Sequence, residues 1–118
     1  TGESIRVENE NFIDASTGIS GSGPAYVFYF MQAMLEAALK MGFSKNDSKV
    51  LVSKTFEGAI ELFNQSDLSP GSWMKRVASK GGTTRAALDS MEDNNVKELI
   101  KEAAYAAFDR AVELGKEE

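Results

Sequence analysis

Ser79, Lys80, Gly81, Gly82, Thr83 and Thr84 are the residues best suited to chemistry, because two glycines and two threonines run into the start of a predicted helix. At a helix N-terminus several backbone N–H groups lack intrahelical partners and the peptide dipoles converge, so a carboxylate or phosphate is favoured there. Glycines let such a ligand approach the backbone, and threonine hydroxyls can donate or accept beside it. A plainer reading stands next to this one: Thr83 caps a helix beginning at Thr84, and the glycines only make the turn.

A second small-residue segment, Ser20-Gly21-Ser22-Gly23-Pro24-Ala25-Tyr26, also ends at a helix start. Its glycines lack the spacing and the preceding strand of a dinucleotide-binding turn, so no nucleotide site is expected within this chain alone. Glu57 and Glu61 lie one helical turn apart and read as a solvated face rather than an acid–base pair; Asp89, Glu92 and Asp93 are equally ordinary. Met31, Met34 and Met41 read as packing residues.

Composition narrows the function classes. The 118 residues carry a net charge of −5 with no basic stripe, which argues against a nucleic-acid partner. Without cysteine or histidine there is no disulfide framework, no thiolate chemistry and no nitrogen or sulfur ligand for zinc, so no metal site is expected. The first residues, Thr1-Gly2-Glu3-Ser4, show no basic or apolar leader pattern, and a cytoplasmic protein is expected.

The elements that must position these segments are helical. Residues 4–7, where Ile5 and Val7 alternate with polar neighbours, resemble a lone edge strand. Asn9 is positioned to cap a short helix over 10–15, and the serines and glycines from Ser16 to Gly23 predict a flexible loop. The pattern then gives a helix over 24–41, capped by Ser22 or Gly23, with Pro24 in its first turn and Gly42 as its stop. That helix has almost no polar face, so it must be buried all round; Gln32, Glu36 and Lys40 interrupt it too early for a membrane span. So short a chain has few elements to enclose it, which favours burial in a subunit interface. Ser44 and Asp47 open a helix to about Gln65 with Val50, Leu51, Thr55, Ala59, Leu62 and Phe63 near helical spacing, and Gly58 inside it suggests a close helix crossing. Ser69-Pro70 begins a helix with Trp73, Met74 and Val77, Trp73 being read as core. Thr84 to about Asp93 forms another, with Ala87, Leu88 and Met91 inward. Asn94 or Asn95 caps the last, whose stripe is Val96, Leu99, Ile100, Ala103, Ala107, Phe108 and Val112, ending near Gly115.

Taken in order, the Ser-Gly-Ser-Gly-Pro-Ala-Tyr loop at 20–26 and the Gly-Gly-Thr-Thr turn at 81–84 make the chain resemble the C-terminal helical domain of pyrroline-5-carboxylate reductases. The resemblance implies an all-α bundle like the C-terminal domain of 6-phosphogluconate dehydrogenase, forming an intertwined homodimer or larger homo-oligomer. Residues 1–8 would be the remnant of a preceding nucleotide-binding domain, and 9–118 the dimerisation and substrate-binding domain. It further implies reduction of 1-pyrroline-5-carboxylate to proline by NADPH or NADH in the full-length enzyme, with the chain alone inactive and binding neither cofactor. The substrate carboxylate would meet Ser79, Gly81, Gly82, Thr83 and Thr84, with the Thr84 hydroxyl at the ring nitrogen as the catalytic contact. Ser22 and Gly23 would lie near the cofactor. Asp67 falls where relatives place a glutamate near that nitrogen, although a turn-forming aspartate explains it too. Lys80 departs from the family by replacing a proline. Two other readings fit the same pattern: a non-catalytic helical dimerisation module, or a related imine or hydroxy-acid dehydrogenase domain.

Overall fold

The computed structural model describes residues 10–79 and 82–116. Residues 1–9, on which the strand remnant and the Asn9 cap fall, lie outside the described residues, as do Lys80 and Gly81. Helices α1 (Glu10–Ser16), α2 (Gly23–Lys40), α3 (Lys45–Gln65), α4 (Pro70–Ala78), α5 (Gly82–Asp93) and α6 (Val96–Lys116) are present, with no strand among the described residues. None of these helices is long and apolar enough to cross a membrane. The chain divides into two compact units, one made of residues 1–28 and 95–118 and the other of residues 29–94.

In the first unit the expected flexible loop is instead an ordered π-helical turn, Thr17–Gly21. It packs on α1 and α6. The turn is closed by the Ser22 amide donating to the Thr17 carbonyl at 2.8 Å, and Ser22 has helical dihedrals. No described side chain therefore caps α2, contrary to expectation, because the backbone passes from one helical turn into the next without the extended residue that a cap requires. On α6, Ala104, Ala107, Phe108, Ala111 and Val112 are partly buried, whereas Leu99 and Ile100, expected inward, are 56% and 55% exposed.

In the second unit α2 ends in a Schellman motif. The Phe43 amide donates to Ala38 and the Gly42 amide to Leu39, with Gly42 at φ +109°, which is why glycine is needed there. Ser44 caps α3 by accepting from the Asp47 amide at 3.1 Å, and Ser69 caps α4 by accepting from Ser72 at 3.1 Å, with Pro70 in the first turn. The face of α3 turned inward carries Ser48, Val52 and Phe56, not the Val50, Leu51, Leu62 and Phe63 stripe, whose members are 44–51% exposed. Phe56 meets Phe30 of α2 edge to face at 5.5 Å between ring centroids. No described atom lies within 4 Å of where a Gly58 Cβ would stand, so the expected close helix crossing is not found within the second unit's described residues. Ser66, not Asp67, shapes the α3–α4 turn: its hydroxyl accepts from the Leu68 amide at 3.0 Å. Asn94 and Asn95 close α5 rather than cap α6 with a side chain. The Asn94 Nδ2 donates to the Ser90 carbonyl at 2.8 Å, and Asn95 sits at φ 60°, a conformation asparagine tolerates better than most residues.

No residue of the apolar helix α2 is fully buried, although Tyr26, Met31, Leu35, Ala37 and Ala38 are half-buried. Phe28 is 68% exposed and Tyr29 79%, and Met41 at 77% is no packing residue here. Ion pairs such as Lys54–Glu57 at 3.7 Å and Lys101–Glu98 at 3.0 Å lie on exposed helix faces and contribute little. Glu98 raises the Lys101 pKa through a hydrogen bond and its charge.

Candidate functional site

The start of α5 differs from the starts of α3 and α4. A serine cap engages one first-turn amide of each of those helices, Asp47 in α3 and Ser72 in α4, whereas no described side chain caps α5 and its first turn holds no acidic residue. The helix begins at Gly82, two residues earlier than expected. Thr83 is consequently inside the first turn and does not act as the cap of the plainer reading, since a cap must be the half-in residue before the helix. Gly82, Thr83 and Thr84 thus supply the first three amides, which have no intrahelical acceptor, and none of them donates to another described residue. Neither threonine hydroxyl bonds another described residue. Gly82 and Thr83 are exposed and Thr84 is half-buried. A Cβ at Gly82 would meet no described atom within 4 Å, so the space beside this residue is open among the described residues.

Helix α4 packs on α5 and holds the other side of the turn. Ser79 follows α4 with its amide donating to the Lys75 carbonyl at 3.0 Å and its hydroxyl to the Arg76 carbonyl at 2.8 Å. Its donors are engaged, so it reaches a carboxylate only by giving up the hydroxyl bond. Gly81, expected in the same cradle, lies outside the described residues, as does Lys80. Arg85, next to Thr84, turns along α5 to Asp89 at 3.2 Å. The Arg76 guanidinium stacks 5.3 Å from the Trp73 ring, and the Trp73 Nε1 is buried with no partner among the described residues. Trp73 is half-buried, less than the core position expected of it.

The other segment places Ser22 and Gly23 at the start of α2, both half-buried. Ser20 turns its hydroxyl back to the Ser16 carbonyl at 3.0 Å, whereas the Ser22 hydroxyl bonds no described residue and the Cβ position of Gly23 faces open space. The Tyr26 hydroxyl donates to the Gly18 carbonyl at 2.9 Å. No direct signal for this bond is legible in the sequence, because eight residues and a turn of unforeseen type separate the partners. Glu57 pairs with Lys54, and Glu61 accepts from Gln65 at 3.2 Å, in keeping with a solvated face. No group of acidic residues able to hold a metal occurs among the described residues.

A groove of about 740 Å³ runs between α2 and α3, with Met31, Leu35, Leu39 and Val52 as its apolar walls. Ser48, which also lines it, is only 1% exposed and its hydroxyl has no described partner.

Comparison with known proteins agrees with the family that the two motifs indicate. The chain matches the family described as pyrroline-5-carboxylate reductase dimerisation over residues 10–114. A pyrroline-5-carboxylate reductase of Pseudomonas aeruginosa is 39% identical over 98% of the chain and 42% of its own length. Among solved structures, pyrroline carboxylate reductase of Plasmodium falciparum with NADP bound superposes with a TM-score of 0.85 at 36% identity, over 91% of this chain and 41% of that one. The Streptococcus pyogenes 1-pyrroline-5-carboxylate reductase gives 0.86 at 28% identity, over 93% and 42%. The chain spans about two fifths of the length of the curated relatives it matches. It belongs to the pyrroline-5-carboxylate reductase dimerisation family, as an all-α domain corresponding to that enzyme's C-terminal part.

Proposed function

We propose that this chain is the oligomerisation and substrate-binding domain of a reductase that converts 1-pyrroline-5-carboxylate to proline in the cytoplasm. Residues 1–8 would end a preceding nucleotide-binding domain, and 9–118 would form the helical domain. The observation that carries this reading is the start of α5, where three amides and two threonine hydroxyls have no described partner and no acidic side chain competes for them. A carboxylate there accepts charge-assisted hydrogen bonds from the amides of Gly82, Thr83 and Thr84, favoured by the helix dipole. A nicotinamide dinucleotide, when bound, would supply a hydride to the carbon of the C=N bond. The Thr84 hydroxyl would orient the ring nitrogen, where electron density builds, and stabilise it while a proton from solvent completes the amine. Ser22 and Gly23 fit contact with the nicotinamide end, with a free hydroxyl beside a position that has no Cβ. The bound NADP of the Plasmodium relative supports NADPH as the reductant. The chain itself has no phosphate-cradling turn, so alone it should bind neither cofactor and show no activity. Exposed α2 and the α2–α3 groove support a homodimer or larger homo-oligomer.

Full-length enzyme assayed with 1-pyrroline-5-carboxylate and NADPH tests the activity; conversion of a hydroxy acid but not the imine would contradict it, and so would inactivity on both. A finer test addresses the amides. Gly82 is the first residue of α5, where proline is well tolerated, so Gly82→Pro deletes one N–H while keeping the helix. It should raise KM for the imine about tenfold or more, the worth of one charge-assisted bond, whereas Gly82→Ala, which keeps the amide, should stay within about threefold. Equal effects of the two substitutions would show that the added carbon, not the lost donor, matters.

A further inference from the structure

The π-helical turn Thr17–Gly21 is held from two sides. The Tyr26 hydroxyl, one turn into α2, donates to the Gly18 carbonyl at 2.9 Å from a partly buried position. Gly18 itself is buried against α6 so closely that a Cβ would lie 2.8 Å from the Ala104 carbonyl oxygen and 3.3 Å from the Phe108 nitrogen. Any other residue would push the turn off α6. The wider hydrogen-bonded ring then closes at Ser22, whose amide meets Thr17 at 2.8 Å. Thr17 and Ser20 turn their hydroxyls back to Ile13 at 3.2 Å and Ser16 at 3.0 Å. Ser22 alone among these hydroxyls is left without a described partner. Turns of this kind are rare inside helices and are frequent at functional sites. Here the specific support is a side chain that does not itself belong to the Ser22–Gly23 surface.

We infer that Tyr26 is a positioning residue for the nicotinamide dinucleotide, its bond to Gly18 fixing the π-helical turn and through it the placement of Ser22 and Gly23. This rests on the proposed reading in which Ser22 and Gly23 meet the cofactor. Phenylalanine at position 26 keeps the ring and removes only the donor, leaving the Gly18 carbonyl unsatisfied.

Steady-state kinetics of the full-length enzyme and its Tyr26→Phe variant, with each substrate varied in turn, provide the test. KM for the dinucleotide should rise about five- to tenfold, the effect of one hydrogen bond. KM for the imine should stay within about twofold, with oligomer size unchanged. A lower melting temperature with both KM values unchanged would mark Tyr26 as structural only and overturn the inference; so would an equal rise in both. If the wild type binds the dinucleotide without reducing the imine, the proposed activity fails, yet direct titration still decides the role of Tyr26. Five- to tenfold weaker binding by the variant supports it, and equal binding, or no binding by the wild type, overturns it.

Discussion

Thr84→Ala in the full-length reductase should lower kcat about 10²-fold while changing KM for the imine by less than about threefold. Thr84 is half-buried, lies in the first turn of α5 and its hydroxyl bonds no other described residue, which suits it to the proposed contact with the ring nitrogen of a substrate whose carboxylate the adjacent amides would hold. A donor aimed at charge that grows during reaction affects the transition state more than the ground state, and removing such a donor from an enzyme typically costs 10²- to 10³-fold. Thr84→Ser, which keeps the hydroxyl, should recover most of the rate. A wild-type kcat in Thr84→Ala would remove this residue from the mechanism. A raised KM with unchanged kcat would reduce it to a binding contact.

Replacing Phe28 with glutamate should convert the oligomer to monomer at micromolar concentration, weakening self-association by about 10³-fold or more. Phe28 is 68% exposed in the single chain, so the change costs the folded protomer little. In a two-fold dimer the substitution occurs twice, and each copy forfeits about 1.5–3 kcal/mol of apolar burial before the cost of desolvating a carboxylate. Sedimentation velocity on wild type and variant reads the result directly. A monomeric wild type would contradict the oligomer reading, and an unshifted oligomer in Phe28→Glu would place the interface elsewhere. Tyr29, 79% exposed on the same helix, is the position to replace alongside it.

Local signals in the sequence were reliable where the chemistry is local. Gly42, Ser44 with Asp47, and Ser69 with Pro70 each act within a few residues, and each helix end that they mark stands where expected. Errors arose where distant contacts decide. Serines and glycines from Ser16 to Gly23 suggested a loop, but the turn is ordered by α6 and by Tyr26, neither of which is visible in a local window. The inward face of α3 departs from the apolar spacing because Ser48, Val52 and Phe56 form it, while Val50, Leu51, Leu62 and Phe63 are left exposed. In a chain that leaves Phe28 and Tyr29 exposed, apolar spacing marks surfaces for a partner as well as its own core. At the candidate site the residue types were legible, since glycines and threonines at a helix start have few uses. Their register was not: Gly82, rather than Thr84, begins α5, which brings three amides into one turn.

The most direct test follows those three amides. With the chain labelled with ¹⁵N, proline and prolinamide are titrated separately while the resonances of Gly82, Thr83 and Thr84 are monitored. A carboxylate seated on the α5 terminus predicts that proline shifts these three resonances saturably and that prolinamide, which lacks the negative charge, leaves them in place. Equal shifts with both compounds, or a proline response confined to other residues, would contradict it.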